Sequence, residues 1–288
     1  MANLARLATE ASEDPNNFVR ISIASELRVI GHGLRFLRYD GAGEHPVLTV
    51  LQQVWPAVDA CLAVFCHDEE VVAAVCDGVN NVLRVAKVSV EPATMAIANT
   101  MATAFNLYPQ TMWLDLAISL HAVLGRSPAA LATLLTLYSR LRERMLTIFQ
   151  AEQHVHHPEL VASFFNLVTR VYRSNGEYLC GIDDAQAPLQ LEATLQAIDW
   201  ALYALTLPEL SSVSAACHAL RVLLELAGKH AEFGHALLAS SGMHGKLVHT
   251  CIEAVVIAAA KASIADLAAV LWELKEVMIA RSCCCTGI

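Results

Sequence analysis

The chain has 288 residues, of which 56% are hydrophobic and 16% charged, with a formal net charge of -9. Its 19 lysines and arginines are scattered, which disfavours nucleic acid as the main ligand, because phosphate binding rests on clustered cations. The length exceeds one ordinary globular core, yet no Gly/Ser linker or charge block divides it, so one extended helical array fits better than two domains.

Apolar stretches with helical spacing recur in pairs from Asn16 to Ala280, broken at Pro, Gly, Ser or Asn. A single helical pair cannot bury its own apolar stripe, so neighbours must stack and share a core. The expected fold is all-α, an α-solenoid of HEAT/armadillo-like hairpins across residues 1–288. The start MANLARLATEASEDPNN has mixed charge and no apolar core of signal-peptide length.

In chain order, a lone first helix is expected at 16–38, because Phe18, Ile21, Ile23, Leu27, Ile30, Leu34 and Leu37 recur near helical spacing and Gly41 and Gly43 end the segment. The first hairpin is expected at 45–88. Its first helix carries Trp55-Pro56 in the interior, where the missing amide donor predicts a kink, and its second starts at Asp68, Glu69 and Glu70, acids suited to a helix N-terminus. A second hairpin at 91–125 opens at Pro92, and Gly125 closes it. Pro92 to Leu114 has no formal charge, but Asn99, Asn106, Pro109 and Gln110 interrupt it, so no membrane span is expected there. Cys251 to Ala260 is also apolar, and Lys261 stops it short of a bilayer's thickness.

The third hairpin, 127–174, begins with Ser127 as cap and continues past a loop at 151–157 into a helix with Leu160, Phe164, Leu167, Val168 and Val171 on one side. A longer loop is expected from Ser174 to Pro188. Hairpins at 188–229 and 231–280 complete the array, with Gly228 as a stop.

Local signatures of catalysis are missing: the chain has no Gly-rich phosphate loop, nucleophile elbow, HExxH or CxxC. An enzyme is not expected, and no cofactor or metal is assigned. His154, His156 and His157 cluster in a predicted loop, but consecutive imidazoles cannot converge on one ion unaided, so a polar loop is the simpler reading. Cys61, Cys66, Cys76, Cys180, Cys217 and Cys251 stand singly among apolar neighbours and read as reduced, buried thiols. Cys283, Cys284 and Cys285 end the chain, and Cys285-Thr286-Gly287-Ile288 matches a prenylation box only formally, with no polybasic segment before it.

The segment His157-Pro158-Glu159-Leu160-Val161-Ala162-Ser163-Phe164-Phe165, followed by Tyr178-Leu179-Cys180, resembles the C-terminal region of the importin-13/transportin-3 branch of importin-β nuclear transport receptors. Trp55-Pro56 with Val58 resembles a motif there. The stretches Ala193 to Glu225, with Pro208-Glu209 and Leu223-Leu224-Glu225, and Ala265 to Leu274 continue in the same order. The resemblance implies a HEAT superhelix that carries protein cargo between cytoplasm and nucleus under the small GTPase Ran, and that touches FG nucleoporins. This chain resembles the final third, and the family's main Ran-GTP site lies in N-terminal repeats with no counterpart here. The stretch matching transportin-3's arginine-rich cargo helix, Ala73 to Lys87, offers only Arg84 and Lys87, so the importin-13 side fits better. A HEAT scaffold unrelated to transport would share every helical feature.

In such arrays the second helix of each pair presents a polar stripe to partners. Asp77, Asn80, Asn81 and Arg84 share one face of theirs, and Asn166, Arg170 and Arg173 share one face of theirs. These seven are the candidate partner-binding residues, and the acidic balance of the chain favours a basic protein partner.

Overall fold

The computed structural model describes residues 2–37, 39, 41, 43–179, 187–230, 233–235, 237, 242–257 and 261–286. Every regular element among them is helical: α1 (Ala2–Glu13), α2 (Asn17–Leu34), α3 (Pro46–Phe65), α4 (Glu69–Ala86), α5 (Thr94–Leu107), α6 (Thr111–Leu124), α7 (Pro128–Gln150), α8 (Pro158–Leu179), α9 (Ala187–Ala204), α10 (Leu210–Lys229), α11 (Met243–Ile257) and α12 (Lys261–Thr286). Short 3-10 turns cover Lys87–Ala93 and Gln153–His156. The chain divides into two compact units, residues 1–146 and 147–288, with the division falling inside α7.

In the first unit α1 packs on α2 and α3, α2 on α4, α3 on α4 and α5, and α4 on α6. Helices meet the matching helix of the next hairpin, as α2 meets α4 and α4 meets α6, and α3 also meets its hairpin partner α4, which is how a thin repeat shares its apolar stripe. The same pattern holds in the second unit, where α10 lies against α8, α9 and α12, and α9 against α11. At the crossing of α2 and α4 two glycines meet, and a Cβ on Gly31 would stand 2.9 Å from the Cα of Gly78.

Local chemistry explains the helix starts. The Asn16 side chain accepts from the amide of Val19 at 3.0 Å, and the Asp68 carboxylate accepts from Val71 at 2.9 Å. Pro46, Pro128 and Pro158 each open a helix, where no amide donor is needed. Asp68 also pairs with Arg20 of α2 at 2.6 Å, so the cap of α4 fastens it to its neighbour. Burial raises the Asp68 carboxyl, but the Val71 amide and the Arg20 guanidinium outweigh it and hold the group below the ordinary carboxylate range.

Several expectations need correction. The helix at 16–38 is not a lone edge helix: α1 precedes it, burying Leu4, Leu7, Ala8 and Ala11 against α2 and α3. The chain leaves α2 at Leu34, short of the expected end. Pro92 does not open an α-helix but sits in the 3-10 turn, and α5 begins at Thr94. Pro56 does lie inside α3, as expected, and α3 runs from Pro46 to Phe65. The loop expected from Ser174 is helical to Leu179, interrupted only at Asn175 with φ -138 and ψ 24. Buried Tyr172, Asn175 and Gly176 hold that extension, overriding the turn signal of Asn-Gly. Expectations that fall on Cys180, on 231–232, on 238–241, on 258–260 and on Gly287-Ile288 lie outside the described residues.

Two described helices, α3 and α10, are long and apolar enough to cross a membrane by composition. Packing accounts for α10, which buries eleven residues including Val213, Leu220, Leu223 and Leu224 between α8 and α12. At roughly 1.5–3 kcal/mol per large apolar side chain buried, such a helix is held by its neighbours rather than by propensity.

Candidate functional site

The polar stripe of α4 forms as the spacing predicts, but its members differ. Asp77 and Arg84 are exposed, while Asn80 and Asn81 are half-buried. Asn81 is already engaged, since its Nδ2 donates to the carbonyl of Gly31 at 3.2 Å, and it ties α4 to α2 beside the glycine crossing. Asp77, Asn80 and Arg84 are the members of the stripe not tied to α2 in this way. On α8, in the other unit, Asn166 and Arg173 are exposed and Arg170 is half-buried, its Nε inside the protein without an acceptor among the described residues. The stem of Arg170 thus packs as well as presents charge.

The histidine cluster resolves differently. His154 turns inward and is 1% exposed, with its Nε2 3.2 Å from the hydroxyl of Tyr203. Its ring stands 5.1 Å from that of Phe149, which stacks on Trp200 at 4.7 Å. His157 points elsewhere, with Nδ1 3.4 Å from Glu159. Among the described residues no group of three His, Cys, Asp or Glu side chains converges as a metal site. Glu152, in the left-handed region at φ 55, makes the tight turn that swings His154 under α7.

Burial pushes the His154 imidazole below its ordinary value, while the backbone of Ile148, the Glu152 carboxylate and the backbone of Phe149 pull the other way. A depressed native value means the unfolded chain takes up the proton first, so the stability tied to neutral His154 is present above the ordinary histidine range and is lost as pH falls through it. Between pH 7.5 and 5.5 the melting temperature of the second unit is expected to fall more steeply in the wild type than in His154→Gln. Parallel pH profiles by circular dichroism would overturn this.

Among the described residues, Cys61, Cys66, Cys76, Cys217 and Cys251 are buried free thiols. Burial raises Cys61 to about 12, Cys217 to about 12 and Cys251 to about 11, and it raises Cys76 further, so the nucleophilic thiolate is suppressed at each.

Sequence reasoning missed one arrangement. The indole Nε1 of Trp55 donates to Thr100 Oγ1 at 3.0 Å, and the Thr100 hydroxyl donates in turn to the carboxylate of Asp59. Asp59 stands in a groove of about 380 Å³ between α3 and α5. Trp55 was singled out by its proline neighbour, but nothing local points to a partner 45 residues away.

Comparison with known proteins agrees with the helical pattern. A family model described as the fourth TPR domain of transportin-3 and importin-13 matches residues 45–149. Importin-13 of Bos taurus and of Homo sapiens are each 27% identical over 188 residues, 65% of this chain and 18% of theirs. Importin-13 of Gallus gallus is 24% identical over 196 residues, 68% of this chain and 19% of its own. A solved structure described as importin-13 in its cytosolic state superposes with a TM-score of 0.79 at 15% identity, covering 96% of this chain and 31% of that one. That superposition establishes the fold, an all-α helical repeat. The chain spans 18–19% of the length of these curated relatives. The family model over residues 45–149, the relatives and the fold all liken the chain to the importin-13/transportin-3 branch of the importin-β nuclear transport receptors.

Proposed function

We propose that the chain is a protein-binding segment of an importin-13-like nuclear transport receptor, contributing surface that grips protein cargo moving between cytoplasm and nucleus. The observation that carries this reading is the pair of polar faces, Asp77, Asn80 and Arg84 on α4 and Asn166, Arg170 and Arg173 on α8, on helices otherwise committed to packing. Distributed polar contacts of this kind suit a folded protein better than a small molecule, and the net charge of -9 favours a basic one. The role is binding, not catalysis. Ran-controlled loading and contact with FG nucleoporins enter this reading as properties of the longer receptor, with localisation to both cytoplasm and nucleus following from shuttling.

Asp77 and Arg173 are the exposed charges to test, because Arg170 also supports packing. Asp77→Lys combined with Arg173→Glu is expected to reduce capture of nuclear proteins by the immobilised chain at least about threefold, the scale of one or two exposed ion pairs, with the melting temperature unchanged. Quantitative mass spectrometry of the eluates reads the result. Capture of the same proteins in the same amounts by wild type and variant would remove these faces from the binding surface.

A further inference from the structure

We propose that the groove between α3 and α5 is a second, separate docking site, and that it takes a short extended peptide segment with a lysine or arginine seated on Asp59 and an apolar side chain two residues on. The groove exists because α5 turns small residues towards α3. Ala96, Thr100, Thr103 and Ala104 line it on one side, with Leu62 and Ala63 opposite. Neither helix fills the space between them, and about 380 Å³ stays open to solvent.

Charge fixes the kind of occupant. Asp59 is exposed, and among the described residues no lysine, arginine or histidine lies within ion-pair distance of it. Its carboxylate is nevertheless held in place. The Thr100 hydroxyl donates to it, and Thr100 is itself fixed by the indole of Trp55, both of these residues being buried. A surface carboxylate without a cation normally samples several rotamers, whereas this one is oriented from the core. Preorganising an anion lowers the cost of binding a cation there.

Shape fixes the rest. From Ala96 to Leu107 the groove follows α5 for eleven residues, about 16 Å at the helical rise. An extended strand of about five residues covers that length, with alternate side chains facing the same way. A cation over Asp59 therefore places the second residue after it against Ala63, Ala104 and half-exposed Leu107. Asn99, exposed on the rim, accepts from Arg140 through Oδ1, which leaves its amide nitrogen facing solvent as a donor for a peptide carbonyl.

The site goes beyond the cargo reading above, because it lies on α3 and α5 and none of the α4 or α8 residues contributes to it. The probe is acetyl-Ala-Lys-Ala-Leu-Ala-amide, titrated into the full chain labelled at alanine and leucine methyl groups. Shifts confined to Leu62, Ala63, Ala104 and Leu107 are expected, with the same peptide carrying Glu in place of Lys binding at least about fivefold more weakly. Asp59→Asn keeps an acceptor for Thr100 and removes the charge, and it is expected to erase the preference for Lys over Glu. Glu13→Gln, a charge change at an exposed residue of α1 away from both surfaces, is expected to leave the preference intact, and failure of the cargo test leaves this one standing. Equal binding of the two peptides to the wild type, shifts scattered away from these four residues, or none at about 5 mM peptide would overturn the proposal.

Discussion

Gly31→Leu is expected to destabilise the first unit by about 3–4 kcal/mol, whereas Gly33→Ala, two positions along the same helix, is expected to stabilise it by about 0.5–1 kcal/mol. The two glycines share a helix and a composition, but not a neighbour. A Cβ at Gly31 would meet the Gly78 Cα at 2.9 Å, and that atom is backbone, so α2 and α4 have to separate before any side chain fits. Separation also stretches the bond from Asn81 to the Gly31 carbonyl and loosens the stripe of Ile23, Ala24 and Leu27. Against this, leucine regains the roughly 1 kcal/mol that glycine costs in a helix, which is too little to compensate. Nothing lies within 4 Å of a Cβ on Gly33, so alanine there keeps the propensity gain alone. Gly78→Ala serves as a control, since its Cβ would sit 3.7 Å from the Gly31 Cα, an ordinary contact. Urea melts of the three variants read the result, and a Gly31→Leu protein as stable as the wild type would mean that the helices do not cross here.

What the sequence reveals about this molecule is what its short-range spacing encodes. The stripe of Val71, Val75, Val79 and Val82, the cap at Asp68 and the prolines that open α3, α7 and α8 all rest on neighbours within a turn or two, and each is legible. α1 escaped notice because its apolar set, Leu4, Leu7, Ala8 and Ala11, relies on alanines between Arg6, Glu10 and Glu13, and only the contact with α2 and α3 makes it a core element. The extension of α8 past Asn175 escaped for the opposite reason, because an Asn-Gly pair reads locally as a turn and burial overrides it. Candidate partner residues follow the same rule. Asp77 and Arg84 are exposed where helical spacing puts them, but the engagement of Asn81 depends on Gly31, fifty residues away. His154 likewise depends on Tyr203 and Asp59 on Thr100, contacts made only when separate hairpins stack.

Trp113→Ala is expected to cost about 3–5 kcal/mol, and Trp113→Phe less than about 1.5 kcal/mol. Trp113 sits in the first turn of α6, fully enclosed, and heads the apolar set that continues through Leu114, Leu116, Ala117 and Leu120. Truncation to alanine removes the whole ring system from α6, which packs on α4, and the neighbouring Leu114, Leu116 and Leu120 are themselves already buried, so they are poorly placed to close the void. Its indole Nε1 is buried and has no acceptor among the described residues, in contrast to Trp55, whose Nε1 is bonded to Thr100. An unpaired buried donor costs about 1–3 kcal/mol, so phenylalanine loses ring volume but removes that penalty, and the two effects largely cancel. The corresponding change at Trp55 has no such compensation, because phenylalanine there leaves the Thr100 hydroxyl without its donor. Chemical denaturation of the three variants, with the slope of each transition checked for two-state behaviour, separates the cases. Trp113→Phe as damaging as Trp113→Ala would overturn this account.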